Sequence, residues 1–272
     1  MQEFSVSPRE MAESLWRHRR LALTLIRSDV AGRYRGSMLG LAWSFFHPVF
    51  MLLVYTFVFS VVFKARWSGG SESKAEFAIV LFAGLLVFGL FSECVNKAPG
   101  LILGNASYVK KVLFPLEILP WITFGSALFH MLVGLLVWLI FYVLLLGVPP
   151  LTAVLLPIVL LPVVLLTLGC SWFLASLGVF VRDVSQIVSV LTATLMFMSP
   201  IFYPVSVLPE AYQPLLLMNP LTPAVEQVRD VLVWGRMPDW TVFGVSFVAA
   251  VIVCWLGFAW FQRTRKGFAD VM

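Results

Sequence analysis

The sequence predicts an all-α integral membrane protein: six transmembrane helices, an N-terminal amphipathic interfacial helix, and short helices between spans five and six. Three observations carry that expectation. Hydrophobic residues make up 60% of the 272-residue chain and charged ones 12%, with a mean hydropathy of +0.94, about half the charged share of a soluble domain. Uncharged apolar runs recur, each able to cross a hydrocarbon core about 30 Å thick, which takes roughly 20 helical residues. Basic residues fall unevenly among the polar stretches that separate those runs.

Residues 7–28 read as the interfacial helix. Ser7 stands where an N-cap belongs, Pro8 at the first helical position, and Glu10 three residues after the serine, as in a capping box. Met11, Leu15, Ala22, Leu25 and Ile26 recur at about helical spacing, while Arg9, Arg17, Arg19, Arg20 and Arg27 lie mostly elsewhere around the wheel. An amphipathic helix in the membrane interface fits this pattern, with an ordinary solvated helix as the alternative. A charged opening without an early apolar core argues against a cleavable signal peptide.

The first span comes from Arg33 to Phe63, which starts basic and glycine-containing and then turns apolar; after Arg35 the next charged residue is Lys64. Lys64 to Glu76 is a polar loop, and Phe77 to about Ser92 the second span. Glu93 to Glu117 reads as one or two short helices outside the hydrocarbon, broken by Gly100, Gly104 and Asn105 and ended by Pro115. Ile118 to Val181 contains no Asp, Glu, Lys or Arg; it is too long for one span and fits two, turned at Gly147-Val148-Pro149-Pro150. A fifth run starts near Ile187 and meets Ser199-Pro200-Ile201-Phe202-Tyr203-Pro204, where the prolines end or kink it. Residues 205–238 carry Pro209, Pro214, Pro220 and Pro223 together with Glu210, Glu226, Arg229, Asp230 and Arg236, a pattern for short interfacial helices. Trp240 to Phe261 is the sixth span, closed by Arg263, Arg265 and Lys266.

An even number of spans puts both termini on one side. If that side is cytoplasmic, Lys64, Arg66, Lys74, Arg229 and Arg236 face out and the other Lys and Arg residues, 14 of 19, face in, as the positive-inside rule requires. The formal charge of +5 is then mainly a topology signal, and nucleic acid is not expected as a partner.

Chemistry-bearing motifs are few. There is no GxxxxGK[ST], so no phosphate-cradling loop and no ATPase on this chain; Gly69-Gly70 reads as a turn. No paired carboxylates or aspartate-rich metal site appear, which argues against a membrane-embedded enzyme acting on polyprenyl lipids. Glu93 and Glu117 sit at span ends, leaving no intramembrane carboxylate of the kind that ion-coupled carriers use. His130, deep in a span, reads as a packed histidine, and His47 before Pro48 as a structural group at a kink. Cys94, Cys170 and Cys254 have no metal or redox spacing and read as packing residues. What remains is a transporter-like body that borrows its energy.

Four stretches then resemble a family: RYRGSMLGLAWSFFHP (Arg33 to Pro48), NASYVKKVLFPLEILP (Asn105 to Pro120), RDVSQI followed by SPIFYPVSVLP (Arg182 to Pro209), and NPLTPAVEQVRDVLVWG (Asn219 to Gly235). In order over about residues 27–240 they look like the permease subunit of bacterial polysaccharide ABC exporters, the ABC-2 group of Wzm type, which moves O-antigen, capsule or teichoic-acid chains.

The resemblance implies an assembly and a division of labour. The chain would form a homodimer bound to two copies of a cytoplasmic ABC ATPase, exporting a polyprenyl-pyrophosphate-linked glycan across the bacterial inner membrane. It would carry no cofactor or catalytic residue itself; ATP and Mg belong to the partner. Residues 1–36 would form the cytoplasmic N-terminus with its interfacial helix, 37–262 the transmembrane domain and 263–272 a cytoplasmic tail. A coupling segment at about 96–115 would dock on the ATPase through Asn105, Tyr108, Lys110 and Lys111. A periplasmic gate at about 200–236 would include Tyr203 and a charged group of Glu226, Arg229 and Asp230, the last three reading as an ordinary exposed ion pair by spacing.

Arg33 and Arg35 stand where a lipid pyrophosphate would arrive, a task suited to guanidinium forks. Trp43, Phe46, Phe50, Tyr55, Phe57, Trp138, Tyr142 and Trp172 are candidates to line the glycan pathway by stacking on sugars, against interfacial belts and packing as their other use. An ABC-2 permease for a small lipid or drug is the alternative function.

Overall fold

The structure is a computed structural model that describes residues 5–58, 74–109 and 114–271. Among these residues every regular element is a helix. The polar loop with Lys64 and Arg66 lies outside the described residues, as do Lys110 and Lys111.

The N-terminus begins as its sequence dictates. Helix α1 (Pro8–Arg17) is capped by Ser7, whose Oγ accepts from the Glu10 N–H at 3.2 Å. The single predicted helix is nevertheless two, since the chain breaks at His18 before α2 (Arg19–Tyr34). Arg19 spans the break, donating to the Trp16 carbonyl at 2.8 Å while its guanidinium lies 4.6 Å from the Trp16 ring centroid. The apolar stripe packs on protein: Ala22 is buried, and Met11, Leu25 and Ile26 lean on the core. The α1 end is held by α12, for Trp255 Nε1 donates to the Val6 carbonyl at 3.1 Å and Met11 meets Cys254.

Between α2 and the first span the chain turns sharply, with Gly36 at φ 85° and Gly40 at φ 50°. Only glycine adopts such angles without strain, which explains the glycines of the basic elbow. A 3₁₀ turn (Gly40–Ala42) leads into α3 (Trp43–Tyr55), which contains Pro48.

Helix α4 (Lys74–Lys97) is the hub, packing against α3, α6, α8, α9 and α11, with 72% of its most apolar stretch buried. It passes the predicted end at Ser92. Glu93 and Lys97 pair at i,i+4 (3.1 Å), and Cys94, Val95 and Ala98 are buried behind them. Mutual neutralisation thus lets the helix keep going where isolated charges would have ended it. Two 3₁₀ turns (Ala98–Gly100 and Leu103–Asn105) then lead to α5 (Ala106–Val109).

The long uncharged run divides as predicted. Helix α6 (Leu119–Leu146) ends at Gly147, φ 95°; a 3₁₀ stretch (Leu151–Leu155), α7 (Leu156–Val159) and α8 (Leu161–Phe180) return. Helix α9 (Val184–Met198) stops where the prolines of Ser199–Pro204 begin. The segment after it holds α10 (Gln213–Leu217), α11 (Thr222–Arg229) and a π-helical turn (Asp230–Trp234) that ends on left-handed Gly235. Helix α12 (Trp240–Thr264) is capped by Asp239, which accepts from the Thr241 and Val242 N–H groups at 2.9 and 3.2 Å; a 3₁₀ turn and α13 (Phe268–Val271) close the chain.

Among the described residues, five stretches are long and apolar enough to cross a membrane: Gly40–Val58, Glu76–Gly100, Leu116–Leu146, Leu151–Phe180 and Trp240–Gly267. The expected sixth, α9, has 15 residues, about 22 Å at the helical rise. Its closest-packed neighbours are α4 and α8. Helices α8 and α12 approach at Gly169 and Gly257, where a Cβ on either would collide with the backbone of the other helix.

Candidate functional site

Two helices each present an acid and a base one turn apart: Asp29 and Arg33 on α2, Glu93 and Lys97 on α4. Both helices pack against α6, and their side chains pair crosswise. Arg33 Nη2 lies 2.7 Å from Glu93 Oε1, and Lys97 Nζ lies 3.9 Å from Asp29 Oδ2 and 3.1 Å from Glu93 Oε1. From α6, His130 adds Nδ1 at 3.0 Å from Glu93 Oε2 and 3.1 Å from Arg33 Nη1. One nitrogen cannot accept from the guanidinium and donate to the carboxylate at once, so Nδ1 serves one of the two at any moment, while Nε2 of the same ring lies 3.5 Å from Arg33 Nη1. The His130 ring is held edge-on by Tyr34 and Phe129, centroids 6.1 and 5.7 Å away.

The sequence reading placed Glu93 at a span end and His130 as a packed side chain. Glu93 lies in the closing turns of α4, and His130 is packed and hydrogen-bonded to it. The missed signal was the pair of i,i+4 acid–base couples, Asp29/Arg33 and Glu93/Lys97, which read singly as anchors or terminators.

This cluster forms one end of a cavity of about 640 Å³. It is also lined by a stripe of α3 at four-residue spacing, Trp43, His47, Met51 and Tyr55, by Phe82, Leu86, Met131 and Met196, and by the hydroxyls of Ser44 and Ser92. Arg33 also lines a second cavity of about 480 Å³ with Asp29, Lys97, Asn105 and Thr123. Arg35 faces neither; it lines a separate hollow of about 460 Å³ with Ser28, Tyr34 and Leu41. The two arginines are thus not brought to one cavity.

The aromatic candidates also separate. Trp43 and Tyr55 line the large cavity, whereas Phe46, Phe50 and Phe57 are 49%, 63% and 59% exposed on other faces of the same apolar stretch. Trp138, Tyr142 and Trp172 are core side chains: Trp138 Nε1 donates to the Ile79 carbonyl and Trp172 Nε1 to the Glu117 carbonyl, both at 3.0 Å. Their rings face protein within this chain, because the indole N–H groups find backbone partners only in the interior.

In the segment after α9 the structure corrects the expected exposed ion pair. Arg229 is 1% exposed. It donates through Nε to the Val80 carbonyl at 3.1 Å, through Nη2 to Ile201 at 2.8 Å and through Nη1 to Pro200, and it meets Glu226 Oε1 at 3.2 Å. Gly84 makes room for it, since a Cβ there would lie 2.8 Å from Nη2. Burial lowers the Arg229 pKa to about 10, against the pull of Glu226, and raises those of Glu226 and Asp230. Tyr203 donates to the Phe197 carbonyl at 2.7 Å.

At the other end, Glu117 joins four elements. Its carboxylate accepts from Ser14 Oγ at 2.9 Å and pairs with Arg265 Nη1 at 2.6 Å; Arg265 Nη2 donates to the Phe114 carbonyl at 3.0 Å. The node stands just after the segment that contains Asn105, whose side chain donates to the Leu101 carbonyl at 2.8 Å. Tyr108 lies in α5. Among the described residues no group of His, Cys, Asp and Glu could hold a metal ion.

Comparison with known proteins matches residues 20–233 to the model of the ABC-2 type transporter family. The chain is 28% identical to the O-antigen export system permease protein RfbA of Myxococcus xanthus over 262 residues, which cover 96% of this chain and 98% of that one. It is 24% identical to the RfbA permease of Klebsiella pneumoniae over 93% of this chain and 95% of that one. With the polysialic acid transport protein KpsM of Escherichia coli the identity is 22% over 89% and 92%. These relatives are components of transport systems rather than enzymes.

Proposed function

The chain belongs to the ABC-2 type transporter family, and we propose that it is the membrane-spanning subunit of an ATP-driven exporter of polyprenyl-pyrophosphate-linked polysaccharide. The observation that carries this reading is near end-to-end similarity to permeases named for two different bacterial glycans, O-antigen and polysialic acid. Those relatives are named for O-antigen and polysialic acid, and a permease built of apolar helices with charged side chains lining its cavities suits polar cargo of that kind.

In this reading two copies of the chain sit in the bacterial inner membrane with two ABC ATPase subunits, which supply ATP and Mg chemistry. Both termini face the cytoplasm, and α9 with the turn-rich Ser199–Pro204 completes a sixth crossing. Helices α1 and α2 lie at the cytoplasmic interface, where exposed Trp16, Leu21 and Leu23 can enter the headgroup layer. Residues 96–115 dock on the ATPase through Asn105, Tyr108, Lys110 and Lys111, and the Glu117 node ties that segment to α1 and to Arg265. Residues 200–236, pinned by Arg229, form the periplasmic gate with Tyr203, Glu226 and Asp230.

Arg33 meets the pyrophosphate at the elbow, with Arg35 beside the approach. Sugars then slide past aromatic side chains of the first span, among which Trp43, Phe46, Phe50, Tyr55 and Phe57 are open in the single chain.

The test is co-purification with the ABC ATPase encoded beside this chain, followed by ATP hydrolysis with and without lipid-linked glycan. Stimulation by the glycan is expected. A stable complex whose hydrolysis responds only to a small lipid or drug would favour the narrower permease reading.

A further inference from the structure

We propose that Glu93 is a built-in counter-anion of Arg33, which the phosphate headgroup of an entering lipid must displace, so that Arg33, Glu93 and His130 form a latch on the large cavity. The inference rests on the reading above, that Arg33 meets a phosphate-bearing lipid. It adds what holds that site when no lipid is there.

Charge balance comes first. Arg33 and Lys97 face Glu93 and Asp29, two cations and two anions, with His130 between them. Glu93, itself half-buried, gives Arg33 a charged partner at 2.7 Å. A headgroup that arrives with its own charge competes with that carboxylate for the Nη2 side of the Arg33 guanidinium. A neutral lipid offers nothing to exchange for a charge-assisted pair, so the internal anion also selects against it.

The displaced carboxylate has somewhere to go. Glu93 keeps Lys97 at 3.1 Å and His130 at 3.0 Å when Arg33 leaves. His130 makes the exchange two-state: with Arg33 turned away, Nδ1–H donates to Glu93 without the guanidinium 3.1 Å from the same nitrogen. Position supplies the rest. Arg33 lines both the large cavity, whose apolar wall of Phe82, Leu86 and Met131 suits a lipid tail, and the second cavity that reaches Asn105. A movement of this one side chain therefore reaches both the entry cavity and the proposed ATPase-docking segment.

The experiment compares wild type and Glu93→Gln, each purified with the ATPase partner in phosphatidylcholine nanodiscs. Retention of undecaprenyl diphosphate, undecaprenol and phosphatidylglycerol is measured by native mass spectrometry. The variant is expected to bind the diphosphate about tenfold more tightly, the size of one competing charge-assisted hydrogen bond, with no gain for undecaprenol. The gain is expected to vanish when Arg33→Gln is combined with it. An equal gain for phosphatidylglycerol assigns the latch to phosphate headgroups in general; a gain for the diphosphate alone assigns it to the cargo lipid.

Unchanged or weaker diphosphate binding by Glu93→Gln overturns the latch. Should that variant fail to fold, Glu93→Asp, which withdraws the carboxylate by one methylene, is expected to shift binding the same way by a smaller factor, and no shift overturns the latch equally. If wild type exports lipid-linked glycan while Glu93→Gln binds no tighter, the latch falls and the export reading stands. If wild type moves no glycan, the export reading falls whatever the variant does.

Discussion

Arg229 is the side chain whose loss should cost the fold most. Its guanidinium serves carbonyls at Val80, Pro200 and Ile201, and a buried arginine removed from such a cage leaves polar groups without donors. Arg229→Met is expected to lower the unfolding free energy of the purified protein by about 2–4 kcal/mol, read as a drop in Tm in detergent. Gly84→Ala should act in the same direction and less strongly, by crowding Nη2; an unchanged Tm in both would contradict the pinning role. At the elbow, replacing Arg33 and Arg35 together with Lys should preserve insertion, because charge is kept, and reduce export several-fold, because the bidentate fork is lost. Export at the wild-type rate would remove pyrophosphate recognition from these residues. Spacing in the sequence put Glu226 and Arg229 on one helical face, but burial was illegible: the carbonyls that hold Arg229 come from residues 149 and 28 positions away in the chain. The same limit hid the Glu93–His130 pair, which spans 37 positions.

Among the elements, the apolar helices were legible because hydropathy is a local property. The run from Ile118 to Val181 shows its two spans and its Gly147 turn directly, and Ser7 announces the cap of α1. Boundaries were less legible where two charges neutralise each other, as at Glu93 and Lys97, or where proline shortens a run, as in α9. Packing between elements leaves only small traces in a sequence. Helices α8 and α12 touch backbone to backbone at Gly169 and Gly257, a contact that small residues permit in lipid. Gly257→Ala is expected to force them apart and destabilise the protein by about 1–3 kcal/mol, seen as a lower Tm and weaker assembly with the ATPase, whereas Gly244→Ala, with open space around it, should be close to neutral. Equal Tm values for the two would contradict the close-packed contact. Helix α2 depends on α6 in a related way, with Ile26 seated over Gly125.

The whole molecule is organised around α4, which carries partners of long-range polar contacts near both of its ends. Glu93 and Lys97 reach α2 and α6 near one end, and Val80 and Gly84 receive Arg229 near the other. A displacement of α4 would therefore move the Arg33–Glu93–His130 cluster and the Arg229 segment together. The measurement that tests the central claim most directly is transfer of lipid-linked polysaccharide into vesicles that contain this chain and its ABC ATPase. Transfer that requires ATP and this chain together, and that falls when Arg33 and Arg35 are replaced, is the predicted result. Intact complexes that hydrolyse ATP yet move no glycan would contradict it.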